Sequence, residues 1–114
     1  MTDPRTAEIA LALLALTSIG AAAAAEASSA AQTYAEQCAF CHGAKGGGDG
    51  AASSMLTPRP TRFVDAAYWK SADRKKLAGT IAAGKPGTAM VPFASKLSSA
   101  QIEGLVAYLE SFSN

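Results

Sequence analysis

The sequence at residues 38–42 reads CAFCH, and this stretch decides how the rest of the chain is interpreted. It contains both cysteines of the protein, Cys38 and Cys41, and its only histidine, His42. Two thiols and an imidazole confined to five of 114 residues are a poor match to chance. The CxxCH pattern is typical of the site at which a c-type haem is attached to a polypeptide.

The spacing within this stretch has a physical reason under the haem interpretation. In a helix, cysteines three residues apart lie on one face, with about 5 to 6 Å between their Cβ atoms. Both sulfurs can then bond to the two vinyl arms at one porphyrin edge. We therefore predict thioether bonds at Cys38 and Cys41, with His42 as an axial ligand of the iron.

Three other uses of these residues are less consistent with the sequence. A structural zinc site takes four ligands, whereas this chain offers three, two of them adjacent. A thioredoxin-like redox pair is expected after a β-strand, and no strand-forming run precedes Cys38. A plain disulfide would leave His42 without a role.

Residues 1–25 have the layout of a secretory signal. Arg5 gives a weakly basic start, residues 9–19 form an apolar core, and Ala23 and Ala25 place small residues before a cleavage site. The apolar core is shorter than the roughly 20 residues that a membrane-spanning helix needs. The segment therefore predicts export to the periplasm.

Cleavage is predicted after Ala25, with Ala30 as the second choice, which leaves residues 26–114 as one soluble, monomeric domain. An uncleaved segment would instead anchor the protein to the membrane. The formal net charge of the whole chain is only +1, so nucleic acid is not predicted as a partner. A domain of this size buries only about two-thirds of its surface on folding, and a large apolar cofactor would complete its core.

The hydrophobic pattern predicts an all-α fold. A first helix is expected over residues 30–41, where Tyr34 shares a face with the two cysteines. A second is expected between Ser71, as the capping residue, and Gly84. The last helix follows a capping box of Ser98 and Gln101. Its apolar stripe consists of Ile102, Leu105, Val106, Leu109 and Phe112, and we expect it to pack on the first helix through Tyr34 and Tyr108.

The segments between the helices supply further candidates. Residues 43–50 hold five glycines and predict an irregular loop. Pro58 and Pro60 predict a stiff, extended segment. This segment is either a rigid connector or the source of a proline carbonyl that accepts a hydrogen bond from Nδ1 of His42 and so orients the ligand.

A second axial ligand has to come from a residue other than histidine, because the chain has only one. Met90 lies in a loop braced by a Pro-Gly turn and by Pro92, whereas Met55 has no such bracing. We predict Met90 as the ligand and Met55 as an ordinary side chain.

A cluster of basic residues surrounds the start of the second predicted helix. It consists of Lys70, Arg74, Lys75 and Lys76. Such a cluster is either a solvated face or a docking surface for a partner protein.

Taken together, five stretches resemble the class I monohaem cytochromes c that are related to the cytochrome subunits of bacterial oxidases. In chain order they are CAFCHG, GDG, LTPRP, GKPGTAMVPF and LSSAQIEGLVAYL. The resemblance implies a cytochrome c fold of three to five short helices around one covalent haem c, with His42 and Met90 as axial ligands. Trp69 resembles an aromatic residue that lines the haem pocket, although an ordinary core tryptophan fits the sequence equally well. Ala30 and Val91 depart from the pattern of the family.

The resemblance also implies a function. An iron held by both histidine and methionine has no open position for a substrate, which favours one-electron transfer over catalysis. We expect a periplasmic electron carrier between respiratory or dehydrogenase complexes and a terminal oxidase or reductase, with redox proteins as its partners. The alternatives are a fixed haem subunit of a larger oxidoreductase, or a five-coordinate sensor or peroxidase-like protein in which Met90 does not bind the iron.

Overall fold

The computed structural model describes residues 29–114, and the proposed signal segment lies outside them. The described chain is helical, with no β-strand between residues 29 and 114. Its α-helices are α1 (residues 29–37), α2 (Ala39–His42), α3 (Ala66–Ser71), α4 (Arg74–Ala83) and α5 (Ser99–Ser111), with a short 3₁₀-helix at Ser53–Met55. This architecture confirms the predicted all-α fold.

The last helix forms as its sequence predicts. The Ser98 side chain accepts a hydrogen bond from the backbone N–H of Gln101, and the Gln101 side chain accepts one from the N–H of Ser98. These two bonds complete a capping box. The buried residues of α5 are Ile102, Leu105, Val106 and Leu109, so its apolar stripe faces the core.

The first and last helices pack through aromatic side chains. Tyr34 of α1 is almost completely buried. Its ring lies 5.6 Å from that of Tyr108 and 5.0 Å from that of Phe112, measured between centroids. The predicted contact between Tyr34 and Tyr108 is therefore confirmed.

The middle of the chain differs from the sequence prediction. Ser71 does not cap α4 but is the last residue of α3, a helix that the sequence did not indicate. Ala72 adopts an extended conformation and separates the two helices, and the Asp73 carboxylate caps α4 by accepting a hydrogen bond from Lys76 N–H. Both Ser and Asp are favourable N-cap residues. The extended backbone at Ala72 and Asp73 ends α3 before α4 begins, so Asp73 occupies the N-cap position of α4.

The first predicted helix is also interrupted. Regular α1 ends at residue 37, and Cys38 is the N-cap of α2 with φ −120°. The N–H of His42 still donates to the carbonyl of Cys38 at 2.9 Å, so the motif retains a helical turn. The core of the protein is formed by nine buried side chains: Tyr34, Phe63, Trp69, Ile81, Phe93, Ile102, Leu105, Val106 and Leu109.

No helix within residues 29–114 combines the length and the hydropathy that crossing a bilayer requires.

Candidate functional site

The two cysteines lie side by side at the junction of α1 and α2. Both are half-buried, both are free thiols, and both line the same cleft. Burial, together with the neighbouring Cys41, raises the pKa of Cys38 to about 11. A redox-active CxxC pair needs a thiol with a lowered pKa, so this environment disfavours thioredoxin-like chemistry.

His42 is held by a backbone carbonyl. Its Nδ1 lies 3.1 Å from the carbonyl oxygen of Thr61, and its ring lies 4.9 Å from that of Phe63. A carbonyl only accepts hydrogen bonds, so Nδ1 carries the proton and Nε2 keeps a lone pair for a metal. Burial lowers the pKa of His42, and the bond to Thr61 opposes this effect only in part. The neutral imidazole is therefore the favoured form.

The acceptor for His42 is a correction to the sequence prediction. The carbonyl belongs to Thr61 and to neither Pro58 nor Pro60. Both prolines lie on the wall of the cleft, and Thr61 is the residue that follows them. The stiff segment is thus correctly located, but its contact with His42 comes one residue later.

Arg62 and Phe63, the two residues that follow Thr61, form hydrogen bonds with the glycine loop of residues 43–50. The backbone N–H of Phe63 donates to the carbonyl of Gly46 at 2.7 Å, and the guanidinium of Arg62 donates to the carbonyl of Gly47 at 2.8 Å. These bonds set the position of the Thr61 carbonyl relative to His42. Sequence reasoning missed Thr61, Arg62 and Phe63 because each of their hydrogen bonds has a backbone group as donor or acceptor, and a bond to a backbone group leaves no pattern of paired side chains.

The residues around His42 enclose a cleft of about 410 Å³. Cys38, Cys41, His42 and Phe63 lie on its wall, together with the segment around Pro58 and Pro60. Helices α4 and α5 contribute apolar side chains: Leu77, Ile81, Leu105 and Leu109. The loop from Lys85 to Val91 completes the lining.

Both candidate methionines line this cleft, but in different environments. Met55 is 81% exposed, whereas Met90 is half-buried. Hydrogen bonds within the loop hold Met90. The N–H of Met90 donates to Oγ1 of Thr88, and the carbonyl of Met90 accepts from the N–H of Lys85. The Thr88 hydroxyl in turn donates to the carbonyl of Lys85. Gly87, with φ +78°, occupies the turn as the Pro-Gly pair predicts. Such a loop holds Met90 in one place.

Trp69 lies apart from the cleft. Its indole N–H donates to the carbonyl of Phe63 at 2.8 Å, its ring stacks edge-on against Tyr68, and it does not contribute to the cleft lining. Of the two interpretations considered for Trp69, this position corresponds to the core tryptophan. It supports the site indirectly, through Phe63.

The cleft fits a haem c. Its volume lies within the roughly 300 to 1,000 Å³ that is usual for cofactor sites. Two free thiols lie on one wall, next to an imidazole whose Nε2 has a lone pair available. Within residues 29–114, no three His, Cys, Asp or Glu side chains are placed to share a metal ion directly. The three residues of the motif therefore suit a porphyrin better than a bare ion.

Solved structures with a similar fold include two c-type cytochromes and a chain of a reducing HAO-like protein complex. One is a chain of the "Kuenenia stuttgartiensis reducing HAO-like protein complex Kustc0457/Kustc0458", with 28% identity, a TM-score of 0.63 and 74% of this chain covered. The present chain spans 41% of the length of that chain. No curated protein matches the sequence significantly.

Two further structures are similar at 24% identity, which supports the fold alone. One is the "KustC0563 c-type cytochrome", with a TM-score of 0.63, covering 74% of this chain and 96% of its own. The other is the "c-type cytochrome NirC", with a TM-score of 0.56, covering 72% and 85%.

Fold and cleft together define a small c-type cytochrome, an electron carrier with one covalently bound haem c. The sequence of residues 25–109 matches the family described as "Cytochrome C oxidase, cbb3-type, subunit III". This match covers most of the chain, and the protein belongs to that family.

Proposed function

We propose that the protein is a periplasmic one-electron carrier whose haem iron is bound by His42 and Met90. The observation that carries the proposal is that both side chains line one cleft together with Cys38 and Cys41. When bound, the haem supplies a reversible one-electron couple. The residues of the chain hold it, orient its nitrogen ligand and exclude water.

Each group has a defined part in this proposal. Cys38 and Cys41 provide the two thioether bonds. Thr61 keeps the proton of His42 on Nδ1, so that Nε2 is the ligand atom. Met90 would provide the second protein ligand to the iron from its braced loop. With two protein ligands, the iron would have no site for a substrate, which argues against an enzyme of the peroxidase type.

Export of the protein is part of the same proposal. Residues 1–25 are proposed to act as a signal that is cleaved after Ala25, so that the cytochrome domain of residues 26–114 takes up haem in the periplasm. Mass spectrometry of mature protein from a host with cytochrome c maturation machinery tests both points. We expect an N-terminus near residue 26 and a mass increase equal to one haem. An unmodified mass would contradict the haem proposal.

A second candidate function is that of a fixed subunit in a larger oxidoreductase complex. It is favoured by the family itself, which is described as an oxidase subunit, and by the neighbour from a protein complex. Purification from native membranes and periplasm distinguishes the two. A shuttle elutes alone near its monomer mass, whereas a subunit elutes in constant stoichiometry with a catalytic partner.

A further inference from the structure

The guanidinium of Arg62 forms hydrogen bonds in two directions. It donates to the carbonyl of Gly47 at 2.8 Å and, through Nε, to the carboxylate of Asp65 at 3.2 Å. The donors of a guanidinium are fixed in one plane, so two partners hold the group in one orientation. The side chain is 58% exposed. Packing in the core therefore does not account for an arginine at this position.

The bond from Arg62 to Gly47 closes a ring of contacts around His42. The imidazole Nδ1 of His42 faces the carbonyl oxygen of Thr61 at 3.1 Å, and Arg62 is the next residue. Gly48 follows Gly47, and its backbone N–H donates to the carbonyl of His42 at 2.8 Å. Within this ring, the Arg62 side chain is the link that a substitution can remove without altering the histidine or the main chain.

The glycine loop approaches the Arg62 segment closely. A Cβ on Gly48, where φ is +71°, would lie 2.8 Å from Cγ of Arg62 and 3.0 Å from the carbonyl oxygen of Pro60. The two segments therefore touch on either side of Thr61. Contact at Gly48 and the bond to Gly47 together leave the Thr61 carbonyl little freedom to turn away from His42.

Other bonds attach the same segment without the help of Arg62. The backbone N–H groups of Phe63 and Val64 both donate to the carbonyl of Gly46, at 2.7 and 3.2 Å. Removing the guanidinium should therefore leave the segment attached to the loop. What it releases is the orientation of the Thr61 carbonyl, so the effect on the histidine can be measured separately from folding.

We propose that Arg62 is a positioning residue of the electron-transfer site, which holds the Thr61 carbonyl on Nδ1 of His42 and thereby lowers the midpoint potential. The proposal rests on the proposed electron-carrier function and adds a residue that tunes it. A firm hydrogen bond from Nδ1 makes the imidazole a stronger donor through Nε2. A stronger donor favours ferric over ferrous iron, which lowers the potential.

The test variant is Arg62→Met, which keeps a long side chain but removes its donors. Proton NMR of the reduced holoprotein in D₂O measures exchange of the Nδ1 proton of His42. The backbone amide of Leu105, a residue only 2% exposed, serves as the internal reference for global unfolding. Voltammetry at about 1 M salt measures the midpoint potential, since a charge removed from the surface is then largely screened.

The matched control is Arg74→Met. Arg74 is 51% exposed and also pairs with a carboxylate, that of Glu110. It borders a separate hollow between α4 and α5, together with Lys75 and Glu103. The control therefore loses the same charge and a comparable ion pair, but on a surface other than the cleft.

In Arg62→Met we expect exchange of the His42 Nδ1 proton to be roughly tenfold faster, with little change at the Leu105 amide. The midpoint potential should rise. Loss of a positive charge alone would lower it, so the sign separates the two causes. Arg74→Met should stay within about twofold of wild type in Nδ1 exchange. Asp65→Ala, which removes only the partner of Arg62, should accelerate exchange by roughly twofold to fivefold.

Several results would overturn the proposal. They are Nδ1 exchange in Arg62→Met that matches wild type, equal acceleration at the Leu105 amide, and a midpoint potential that falls or stays constant. If Arg62→Met does not load haem, Arg62→Lys replaces it, because an ammonium lacks the planar fork. Wild-type exchange in that variant would equally refute the role of Arg62. A wild-type protein without haem would show no redox wave at all, which refutes the proposed function itself.

Discussion

The hydroxyl of Tyr34 donates a 2.5 Å hydrogen bond to the carbonyl of Gly43, the residue directly after His42. The same ring packs against Tyr108 and Phe112 at the end of α5. One side chain thus connects the first helix, the histidine of the motif and the last helix. Burial raises the pKa of Tyr34 above its usual value of 10.0, so the hydroxyl remains protonated and able to donate.

Replacing Tyr34 with Phe should destabilise the holoprotein by about 1 to 2 kcal/mol, because the buried Gly43 carbonyl loses its donor while the ring packing is retained. Urea denaturation followed by the absorbance of the haem measures the change. Tyr108→Phe is the matched control, since no residue in the described range bonds to the Tyr108 hydroxyl, and it should cost much less. Equal losses in both variants would contradict this role for the Tyr34 hydroxyl.

The same tyrosine predicts how stability changes in alkali. Its pKa is raised in the folded state, so above pH 10.0 the unfolded chain loses the proton first and the free energy of unfolding falls as pH rises. The advantage of wild type over Tyr34→Phe should therefore shrink above pH 10 and stay constant between pH 7 and 9. Urea denaturation of both proteins at each pH tests this. A difference that does not depend on pH would show that Tyr34 is ionised equally in both states.

Replacing Met90 with Ala should abolish the sulfur-to-iron charge-transfer band of the oxidised protein and lower its midpoint potential, because a neutral thioether stabilises ferrous iron. Met55→Ala is the matched control: Met55 also lines the cleft but is 81% exposed. It should leave both properties unchanged. A band that persists in Met90→Ala and disappears in Met55→Ala would reverse the ligand assignment.

Replacing Gly50 or Gly79 with alanine should have opposite effects on the stability of the protein. A Cβ on Gly50 would lie 2.3 Å from the carbonyl oxygen of Phe40 and 2.6 Å from that of Ala39, so Gly50→Ala must displace the backbone of α2. On Gly79, inside α4, a Cβ meets nothing within 4 Å. Gly79→Ala should stabilise the helix by about 0.5 to 1 kcal/mol.

Thermal or urea denaturation measures both glycine variants, and haem content per polypeptide provides a second readout. We expect Gly50→Ala to lower both stability and haem content, because α2 carries Cys41 and His42. Gly79→Ala should raise stability and leave haem content unchanged. A stable, fully loaded Gly50→Ala protein would show that α2 can shift without loss of the site.

The structural features that depend on side chains close together in the sequence could be predicted from the sequence. The capping box of Ser98 and Gln101, the apolar stripe of α5 and the Pro-Gly turn before Met90 all depend on neighbours within a few residues. Helix α3 escaped prediction because its six residues span fewer than two helical turns, too few to show a repeating apolar pattern, and only the extended residues Ala72 and Asp73 separate it from α4.

Long-range relations within the site were less accessible. The contact between His42 and Thr61 spans 19 positions and uses a main-chain oxygen, so no residue type marks it. The two sides of α4 could be assigned only from the structure, in which the Arg74 guanidinium pairs with Glu110 of α5 and Leu77 lines the cleft. For this reason the sequence could locate a basic cluster without showing that it borders a different surface from the cleft.

The bond from His42 to the main chain of Thr61 also bears on how the protein can evolve. An acceptor supplied by the peptide unit does not depend on which side chain follows Pro60, so related proteins can keep this hydrogen bond when the residue at position 61 differs. Selection should act instead on the path of the chain, through the Phe63 and Arg62 attachments to the glycine loop. Homologues that differ at residue 61 but keep those attachments should hold their imidazole in the same way.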